Sequence, residues 1–207
     1  MTTALAIFAR DPRDRVKTRL GLAPERASRL YAAMLSDVVG KVAALQSAVT
    51  PSLWYADALG PDFGLPCHLQ RGDQLGARMR HALSTLLATH DAVVIVGTDS
   101  PTLPARCIDA AVTSLAAHDL VLGPTADGGY YLIGARRVPS FDDVRWSSRT
   151  TYEDTVRAND RAHALEPWYD VDRPEDLRVL GAHLALDPEA APHTAALIGS
   201  GGFESAW

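Results

Sequence analysis

One apolar run that ends abruptly on a carboxylate constrains the fold more than any other segment. Residues 93–96 are all β-branched and apolar, which is typical of a strand buried on both faces of a parallel sheet. Gly97 and Pro101 end this strand and leave Asp99 at its carboxyl end, the edge where open α/β sheets bind ligands. Asp99 is therefore either a ligand of a divalent cation that carries phosphates, or a turn or N-cap residue before a helix near Pro104. This segment alone favours neither interpretation.

Strand and helix signals alternate along the chain, which predicts βαβ units and a mostly parallel sheet. The predicted strands are 5–9, 53–56, 67–70, 93–96, 120–122 and 130–133. Apolar residues at helical spacing predict five helices, which lie after Pro24, from Leu75, over 108–115, over 150–158 and from Pro174.

The size and composition fit one domain, which we assign to residues 1–186 of the 207-residue chain. Residues 187–207 are rich in Ala, Pro, Gly and Ser, so we expect a loosely ordered tail or a packing arm that seats Phe203 and Trp207 and permits a homodimer. The net charge of −5 argues against nucleic acid or an anionic membrane as the main partner. Two cysteines without metal spacing, and no signal peptide or membrane-spanning run, predict a cytoplasmic protein.

Polar, glycine-bearing loops follow several predicted strands, which favours an enzyme or a nucleotide-binding protein over a scaffold. The loop after the first strand carries five cations in an acidic chain, and such a cluster suits phosphate better than it suits a merely solvated loop. These cations are Arg10, Arg13, Arg15, Lys17 and Arg19. The loop is not a P-loop, because it lacks that motif's glycines and its Gly-Lys-Ser/Thr ending.

Three further loops carry candidate residues, each with a structural alternative. In residues 70–79, Gln70 offers an amide to a base edge, while Asp73 is a ligand contact or a helix cap. Asp127-Gly128-Gly129 is a binding loop or a plain hairpin turn. In residues 170–176, Asp170 or Asp172 could share a cation with Asp99, or Asp172 could be the N-cap of the helix that Pro174 opens.

Two common kinds of site are disfavoured. The seven histidines form neither an HxxxH nor an HxH pattern, so a histidine-ligated metal is not expected. Ser100 lacks the context of a nucleophile elbow, which argues against hydrolase chemistry.

Taken in order, these segments resemble a bacterial family of GT-A-type nucleotide-diphospho-sugar transferases, some of them tied to arsenosugar assembly. The Asp-x-Pro at Asp99 and the Asp-x-Asp at Asp170 are also similar to the guanylyltransferases of molybdenum-cofactor and deazaflavin (2-phospholactate) synthesis. The matching pieces span residues 5 to about 185: 8–10 with 16–20, 70–79, 97–101, 122–124 with 127–134, 146–147, and 170–172 with 174–177. The chain departs from the family at Arg13-Asp14, where Pro-Gly is usual.

The resemblance implies a three-layer α/β/α, Rossmann-like GT-A fold, and it also implies roles for individual residues. Asp99 and Asp172 would hold Mg²⁺ or Mn²⁺, and the catalytic residues would be Lys17, Arg19 and Asp99. The implied nucleotide-binding residues are Ala9, Arg10, Lys17, Arg19, Gln70, Gly72, Asp73 and Gly76. The implied acceptor-binding residues are Asp127, Gly128, Gly129, Tyr130 and Trp146.

The expected function is a metal-dependent glycosyltransferase that uses a nucleoside-diphosphate sugar and a small-molecule acceptor. A nucleotidyltransferase that joins a nucleoside triphosphate to a phosphorylated small molecule and releases pyrophosphate is the first alternative. A nucleotide-binding protein without catalysis is the second.

Overall fold

The computed structural model describes residues 1–202 and contains seven strands, six α-helices and three shorter helical turns within them. The strands are β1 Thr3–Ala9, β2 Thr50–Tyr55, β3 Cys67–Leu69, β4 Ala92–Val96, β5 Leu120–Pro124, β6 Tyr130–Ala135 and β7 His163–Ala164. The helices are α1 Pro24–Ala43, α2 Leu75–Leu87, α3 Ala105–Ser114, α4 Thr151–Arg157, α5 Pro174–Leu186 and α6 Pro192–Leu197. The turns are the 3₁₀ helices Thr18–Leu20 and Pro188–Ala190, and the π-helical turn Ile198–Gly202.

The strands form one sheet in the order β3-β2-β1-β4-β6-β5-β7. Strand β6 runs antiparallel to its neighbours β4 and β5, and the other described strands are parallel to one another. The mostly parallel, mixed sheet predicted from the sequence is confirmed. Because the parallel strands point the same way, the loops that follow them meet at one edge of the sheet, which we call the carboxyl edge.

The sheet is covered on both faces, as the three-layer prediction requires. Alternate residues of β1 point to opposite sides, so Leu5 and Ile7 pack with α1 and α3, whereas Ala4 and Ala6 pack with α2. A third apolar cluster joins the start of α1 to α5 and α6. This third cluster lies beside the carboxyl edge and fixes the loop before α1.

The sequence pattern predicts the start and the buried face of a helix best where its apolar stripe is long. Pro24 is the first residue of α1. Of the apolar residues at helical spacing after it, five are buried and Leu45, just beyond the helix, is partly buried; the five are Leu30, Met34, Leu35, Val38 and Val42. In α2 the stripe is less complete, since Met79 and Leu83 are buried, Leu86 is partly buried and Leu75 is exposed. The two-residue strand β7 was not predicted, because two residues carry no periodicity.

The segment that the sequence assigned to a loose tail or a packing arm contains α6, which packs on α1. The buried carboxylate of Asp37 accepts bonds from the backbone N–H groups of His193 and Thr194 and from the Thr194 hydroxyl. Phe203 and Trp207, which the packing-arm prediction names, lie outside the described residues. Within the described residues no helix is both long and apolar enough to cross a bilayer.

Candidate functional site

The candidate site lies where the order of the strands turns back. From β1, the chain builds the sheet outward to β2 and β3 in one direction and to β4, β6, β5 and β7 in the other. The loops after β1 and β4 therefore diverge and leave a crevice between them, the usual ligand position in such sheets. Lys17 comes from the first of these loops, and Asp99 comes from the second.

Lys17 connects three loops through its ammonium group. Its Nζ donates to Asp99 Oδ1 at 2.5 Å, to the backbone carbonyl oxygen of Val171 at 2.6 Å and to Asp172 Oδ1 at 3.0 Å. An ammonium has three protons, so these acceptors use all of them. Two carboxylates that are 73 positions apart in sequence are thus brought together, and we call Lys17, Asp99 and Asp172 the carboxylate cluster.

The cluster has a buried cation and accessible anions. The Lys17 side chain is 4% exposed, whereas Asp99 is 48% exposed and Asp172 is 35% exposed. Burial opposes the positive charge of Lys17, but the two carboxylates outweigh it and hold the pKa of the ammonium above its usual value. The anionic groups therefore face the crevice, with the compensating charge behind them.

Backbone and hydroxyl contacts keep the cluster in register. The Tyr31 hydroxyl accepts from the Arg10 backbone N–H at 2.8 Å and bonds the Thr98 hydroxyl at 2.9 Å. The Val171 N–H donates to the Asp99 carbonyl oxygen at 2.8 Å. Sequence reasoning missed Tyr31, although a tyrosine in the buried stripe of α1 needs a partner for its hydroxyl, and that requirement is the signal that could have found it.

The N-cap alternatives for the two acidic residues are wrong, although Asp99 does lie in the bend that follows β4. The N-cap of α3 is Pro104, which has no side-chain cap, and the Asp99 carboxylate bonds Lys17 instead. The N-cap of α5 is Arg173, and it is Asp176 that accepts from the backbone N–H groups of Asp172 and Arg173. The Asp172 side chain is thereby left free for Lys17.

Further carboxylates surround the cluster. Burial raises the pKa of Asp170 to about 7, and the charges of nearby acidic residues add to the shift. These residues are Asp127, Asp172 and Asp99. Such an excess of carboxylate oxygen fits the donor preference of Mg²⁺ and Mn²⁺. No group of three or more potential ligands converges on one point among the described residues, so substrate phosphates would have to supply further oxygens.

The cations of the first loop differ in their partners. Arg10, half-exposed, pairs with Asp57 at 3.4 Å, and Arg78 of α2 pairs with the same carboxylate at 3.2 Å. Arg13 pairs with Asp11. Exposed Arg15 and Arg19 have no ion pair within the part of the chain that the structure describes. Both could therefore meet a phosphate without giving up an ion pair, whereas Arg10, which is also exposed, would share itself with Asp57.

Asp14 has one buried carboxylate oxygen without a hydrogen-bond partner among the described residues.

The predicted nucleotide-binding residues after β3 serve the backbone as well. The Gln70 side-chain amide donates to the Trp54 carbonyl oxygen at 2.7 Å and reaches the Ala9 carbonyl oxygen at 3.5 Å. Gly72 has a φ of +130°, and a Cβ there would lie 2.6 Å from that of Ala77, so the turn requires glycine. Asp73 is exposed and does not cap α2, whose N-cap is Gln74, so the capping alternative is wrong.

Gly76 and two predicted acceptor residues, Tyr130 and Trp146, lie on the α2 side of the sheet. A Cβ at Gly76 would come within 2.7 Å of the Trp146 indole, so the ring packs directly against the helix backbone. Trp146 also meets Phe141 edge-to-face at 5.5 Å, and the Tyr130 hydroxyl lies 3.9 Å from the sulfur of Met79. We use the name aromatic cluster for five residues: Gly76, Met79, Tyr130, Phe141 and Trp146.

The Asp127-Gly128-Gly129 segment is a tight turn beside this cluster. Asp127 Oδ1 accepts from the Thr125 hydroxyl at 2.6 Å and from the Gly129 N–H at 2.9 Å. Gly128 has a φ of +92°, and a Cβ there would lie 1.9 Å from the Arg149 carbonyl oxygen. The hairpin alternative is right about local geometry. The turn also lies beside the segment that leads to Asp170 and Asp172, because the Ala126 N–H donates to the Trp168 carbonyl oxygen at 3.2 Å.

A cavity of about 590 Å³ lies apart from these residues, between α1, the start of α3 and the tail. Lys41 lines it and donates to the carbonyl oxygens of Pro101 and Ala190. The cavity contains none of the predicted site residues. The carboxylate cluster lies instead at the carboxyl edge of the sheet, where Asp99 and Asp172 are accessible to a charged ligand.

Comparisons with known proteins identify the family and the fold of the chain. A model of the bacterial family described as "Uncharacterized protein conserved in bacteria (DUF2064)" matches residues 33–148. A crystal structure from Desulfovibrio desulfuricans G20, described as a "putative nucleotide-diphospho-sugar transferase", is similar with a TM-score of 0.86 and 30% identity, covering 97% of this chain and 95% of that one. No curated protein gives a significant sequence match.

More distant structures share the fold. The 4-diphosphocytidyl-2C-methyl-D-erythritol synthase of Anaerococcus prevotii DSM 20548 has a TM-score of 0.58 at 9% identity, with 89% of this chain and 96% of that chain covered. A cytidylyltransferase of Leptospira borgpetersenii serovar Hardjo-bovis has a TM-score of 0.57 at 15% identity, with 97% and 93% covered. These distant likenesses confirm the fold class. The family match and the Desulfovibrio structure confirm the predicted family resemblance and the transferase class.

Proposed function

This chain belongs to the bacterial DUF2064 family, and from that premise we propose that it transfers a sugar from a nucleoside-diphosphate sugar to a small acceptor with the help of Mg²⁺ or Mn²⁺. The convergence of Asp99 and Asp172 at the crevice between β1 and β4 is the observation that carries the proposal. The 30% identical structure, described as a nucleotide-diphospho-sugar transferase, supports the same donor class.

The donor diphosphate would lie between the carboxylate cluster and the first loop. Asp99 and Asp172 present accessible carboxylate oxygens, which would hold the cation. Arg19, exposed and without an ion pair among the described residues, and Arg10 would meet the phosphates from the other side. When bound, the cation would neutralise the negative charge that develops on the departing diphosphate.

The reaction breaks the bond between the anomeric carbon of the sugar and the diphosphate oxygen. An acceptor oxygen forms the new bond to that carbon, the nucleoside diphosphate leaves with the electron pair, and the acceptor loses its proton. Arg19 would stabilise the leaving group, and Lys17 would join it, an electrostatic role in which single groups contribute about 10²- to 10³-fold.

The base and the acceptor would occupy opposite ends of the crevice. Gln70 and Gly72 follow β3, so the base would extend towards that end of the sheet. The turn at Asp127 and the aromatic cluster lie beside β5 and β6 and would receive the acceptor. The half-buried indole of Trp146 offers an apolar face for a small molecule.

The test is to incubate the protein with a panel of nucleoside-diphosphate sugars and, separately, nucleoside triphosphates, each with and without Mn²⁺ and a set of small acceptors. We expect Mn²⁺-dependent release of a nucleoside diphosphate from one sugar donor. The D99N variant should lose this activity by about 10²-fold or more, yet keep the unfolding temperature of the wild type. The matched control D142N changes an exposed carboxylate far from the cluster and should retain activity.

Two other results would overturn the proposal. Mn²⁺-dependent release of pyrophosphate from a triphosphate would identify a nucleotidyltransferase. Tight nucleotide binding that neither needs a metal nor leads to turnover would identify a nucleotide-binding protein without catalysis.

A further inference from the structure

The chain contains only two lysines, Lys17 and Lys41, against eighteen arginines. Both ammonium groups are buried or partly buried, and both donate to backbone carbonyl oxygens. They differ in one respect, because Lys17 also bonds two carboxylates, whereas within residues 1–202 the Nζ of Lys41 bonds carbonyl oxygens only. Lys41 is therefore a natural control for what the contacts of Lys17 do.

We infer that Lys17 is a built-in counter-ion of the Asp99–Asp172 pair, which competes with a divalent cation and releases the carboxylates when phosphate oxygens replace them as its partners. This inference rests on the proposed use of a divalent cation. It explains why the donor protons of a residue expected to bind phosphate are all used in bonds within the protein.

Charge is the first step of the argument. With Lys17 in place, one positive charge already offsets one of the two negative charges, so a divalent cation would convert a net charge of −1 into +1. Without Lys17, the same cation would meet a net charge of −2 and leave none. The attraction between the site and a cation grows with the net negative charge of the site, and it is stronger where water is partly excluded. Because Lys17 halves that negative charge, it must weaken the binding of the cation alone.

The local backbone is the second step. Lys17 has φ 52° and ψ 33°, a left-handed conformation that is costly for any residue with a Cβ. The three bonds of the ammonium therefore hold a conformation that the loop by itself does not favour. Val16 and Leu20 are buried on either side and anchor the loop, so that the residues between them can move without disturbing the core.

The third step is the exchange of partners. Arg15 and Arg19 lie on the same loop without an ion pair among the described residues, and they would attract a diphosphate to it. A phosphate oxygen near Lys17 would offer the ammonium an anionic acceptor in place of a carboxylate. The cation and the diphosphate would then bind as a pair, each favouring the other.

The first experiment measures Mn²⁺ binding in the absence of any nucleotide, by calorimetry and by the electron paramagnetic resonance of free Mn²⁺. We expect K17M to bind Mn²⁺ at least about tenfold more tightly than the wild type. K41M should bind it as the wild type does. Adding D99N to K17M should remove the gain, which assigns the effect to the carboxylate pair.

The second measurement needs no variant of the cluster. The two lysine ammonium groups are observed by ¹⁵N NMR and assigned with K41M. We expect the Lys17 signal to persist when Mg²⁺ alone is added at low concentration, and to shift when Mg²⁺ and inorganic pyrophosphate are added together. Pyrophosphate serves as a probe that does not depend on the base.

Equal or weaker Mn²⁺ binding by K17M, with the variant folded, overturns the inference. If K17M does not fold, an unchanged Lys17 signal with bound Mg²⁺-pyrophosphate overturns it instead. These outcomes are distinct from a failure of the proposed function, in which no sugar donor is cleaved and no nucleotide needs Mn²⁺, whatever K17M does with Mn²⁺ alone.

Discussion

Different interactions stabilise the two halves of the candidate site, ion pairs in the carboxylate cluster and close packing in the aromatic cluster. The carboxylate cluster joins three loops through bonds to a single ammonium group, and its anionic groups are a third to a half exposed. The aromatic cluster and the adjoining turn are instead fixed by shape, with a ring against Gly76 and a carbonyl oxygen against Gly128. Ion pairs can exchange partners when a charged ligand arrives, whereas a close steric contact cannot.

This difference suggests a division of labour between a half that responds to charge and a half that stays rigid. A diphosphate and a cation carry large charges, so the half that receives them must be able to redistribute its own. An acceptor has to be held in one orientation for the transfer, which favours a preformed surface. Substitutions should therefore affect folding in the second half and ligand binding in the first.

The largest effect is expected from Gly128→Ala in the rigid half. The new Cβ would collide with the Arg149 backbone at 1.9 Å and would have to accept a φ of +92°. We expect a loss of about 3–4 kcal/mol in the free energy of unfolding, measured with urea.

Gly64→Ala is the matched control, since Gly64 also has a positive φ, of +76°, but nothing lies within 4 Å of its Cβ position. That variant should lose only about 1 kcal/mol, the cost of the backbone conformation alone. Equal losses in the two variants would mean that the contact with Arg149 does not fix the turn.

Much of the fold could be predicted because its signals are local. The buried run 93–96 and the proline at the start of α1 each determine an element without reference to the rest of the chain. The residues alone left open whether Asp170 or Asp172 meets Asp99, and the family resemblance pointed to Asp172, which the structure does bring to Asp99 through Lys17. The hydrogen bonds that Lys17 makes within the protein could not be predicted, because its three acceptors lie at least 82 positions away in the sequence.

The sequence also does not show what its glycines and aromatic residues pack against, and several of them were assigned to ligand binding. Gly76 and Trp146 are each compatible with a binding role in sequence, and only the packed structure shows that they contact one another. Tyr130, likewise, is packed in the apolar cluster against Met79. A sequence shows that a glycine allows close approach, but it does not show which group approaches.

A moderate effect is expected from Gly76→Ala, and it tests whether the indole is held as rigidly as the turn. The added methyl group would lie 2.7 Å from the ring of Trp146, so we expect overpacking to cost about 1–3 kcal/mol of unfolding free energy. The ring is half-buried and lies at the surface of the cluster, so it has more room to shift than the Arg149 backbone has.

The double variant Gly76→Ala, Trp146→Ala decides the cause. If the ring is the obstacle, the loss caused by Gly76→Ala should largely vanish in the Trp146→Ala background, giving a clear coupling energy in the four-variant cycle. Strictly additive losses would show that the methyl group acts on the helix itself, and the rigid half would then not depend on this contact.

The smallest effect concerns the ion pairs of Asp154 in α4, the helix whose Tyr152 N–H donates to the Gly128 carbonyl oxygen of the rigid turn. Here we expect charge to stabilise the fold rather than to bind a ligand. Hydrogen bonds from Arg145 hold the pKa of Asp154 well below its usual range, despite the opposing effect of its burial, and Thr150 and Arg157 also bond the carboxylate. A carboxyl group whose pKa is lower in the folded state stabilises the fold above its unfolded pKa of about 3.9, and this stabilisation is lost as the pH falls. Asp154→Asn should therefore lower the unfolding temperature at pH 7, and the gap to the wild type should narrow below about pH 4.

Asp142→Asn, which removes an 80% exposed partner of Arg80, should leave the unfolding temperature nearly unchanged at both pH values, because exposed pairs contribute little. A gap for Asp154→Asn that stays constant down to pH 3 would mean that hydrogen-bond geometry, and not charge, stabilises this corner. Since an asparagine amide cannot reproduce the bidentate bond to Arg145, the pH dependence separates the two explanations where a single measurement at pH 7 would not.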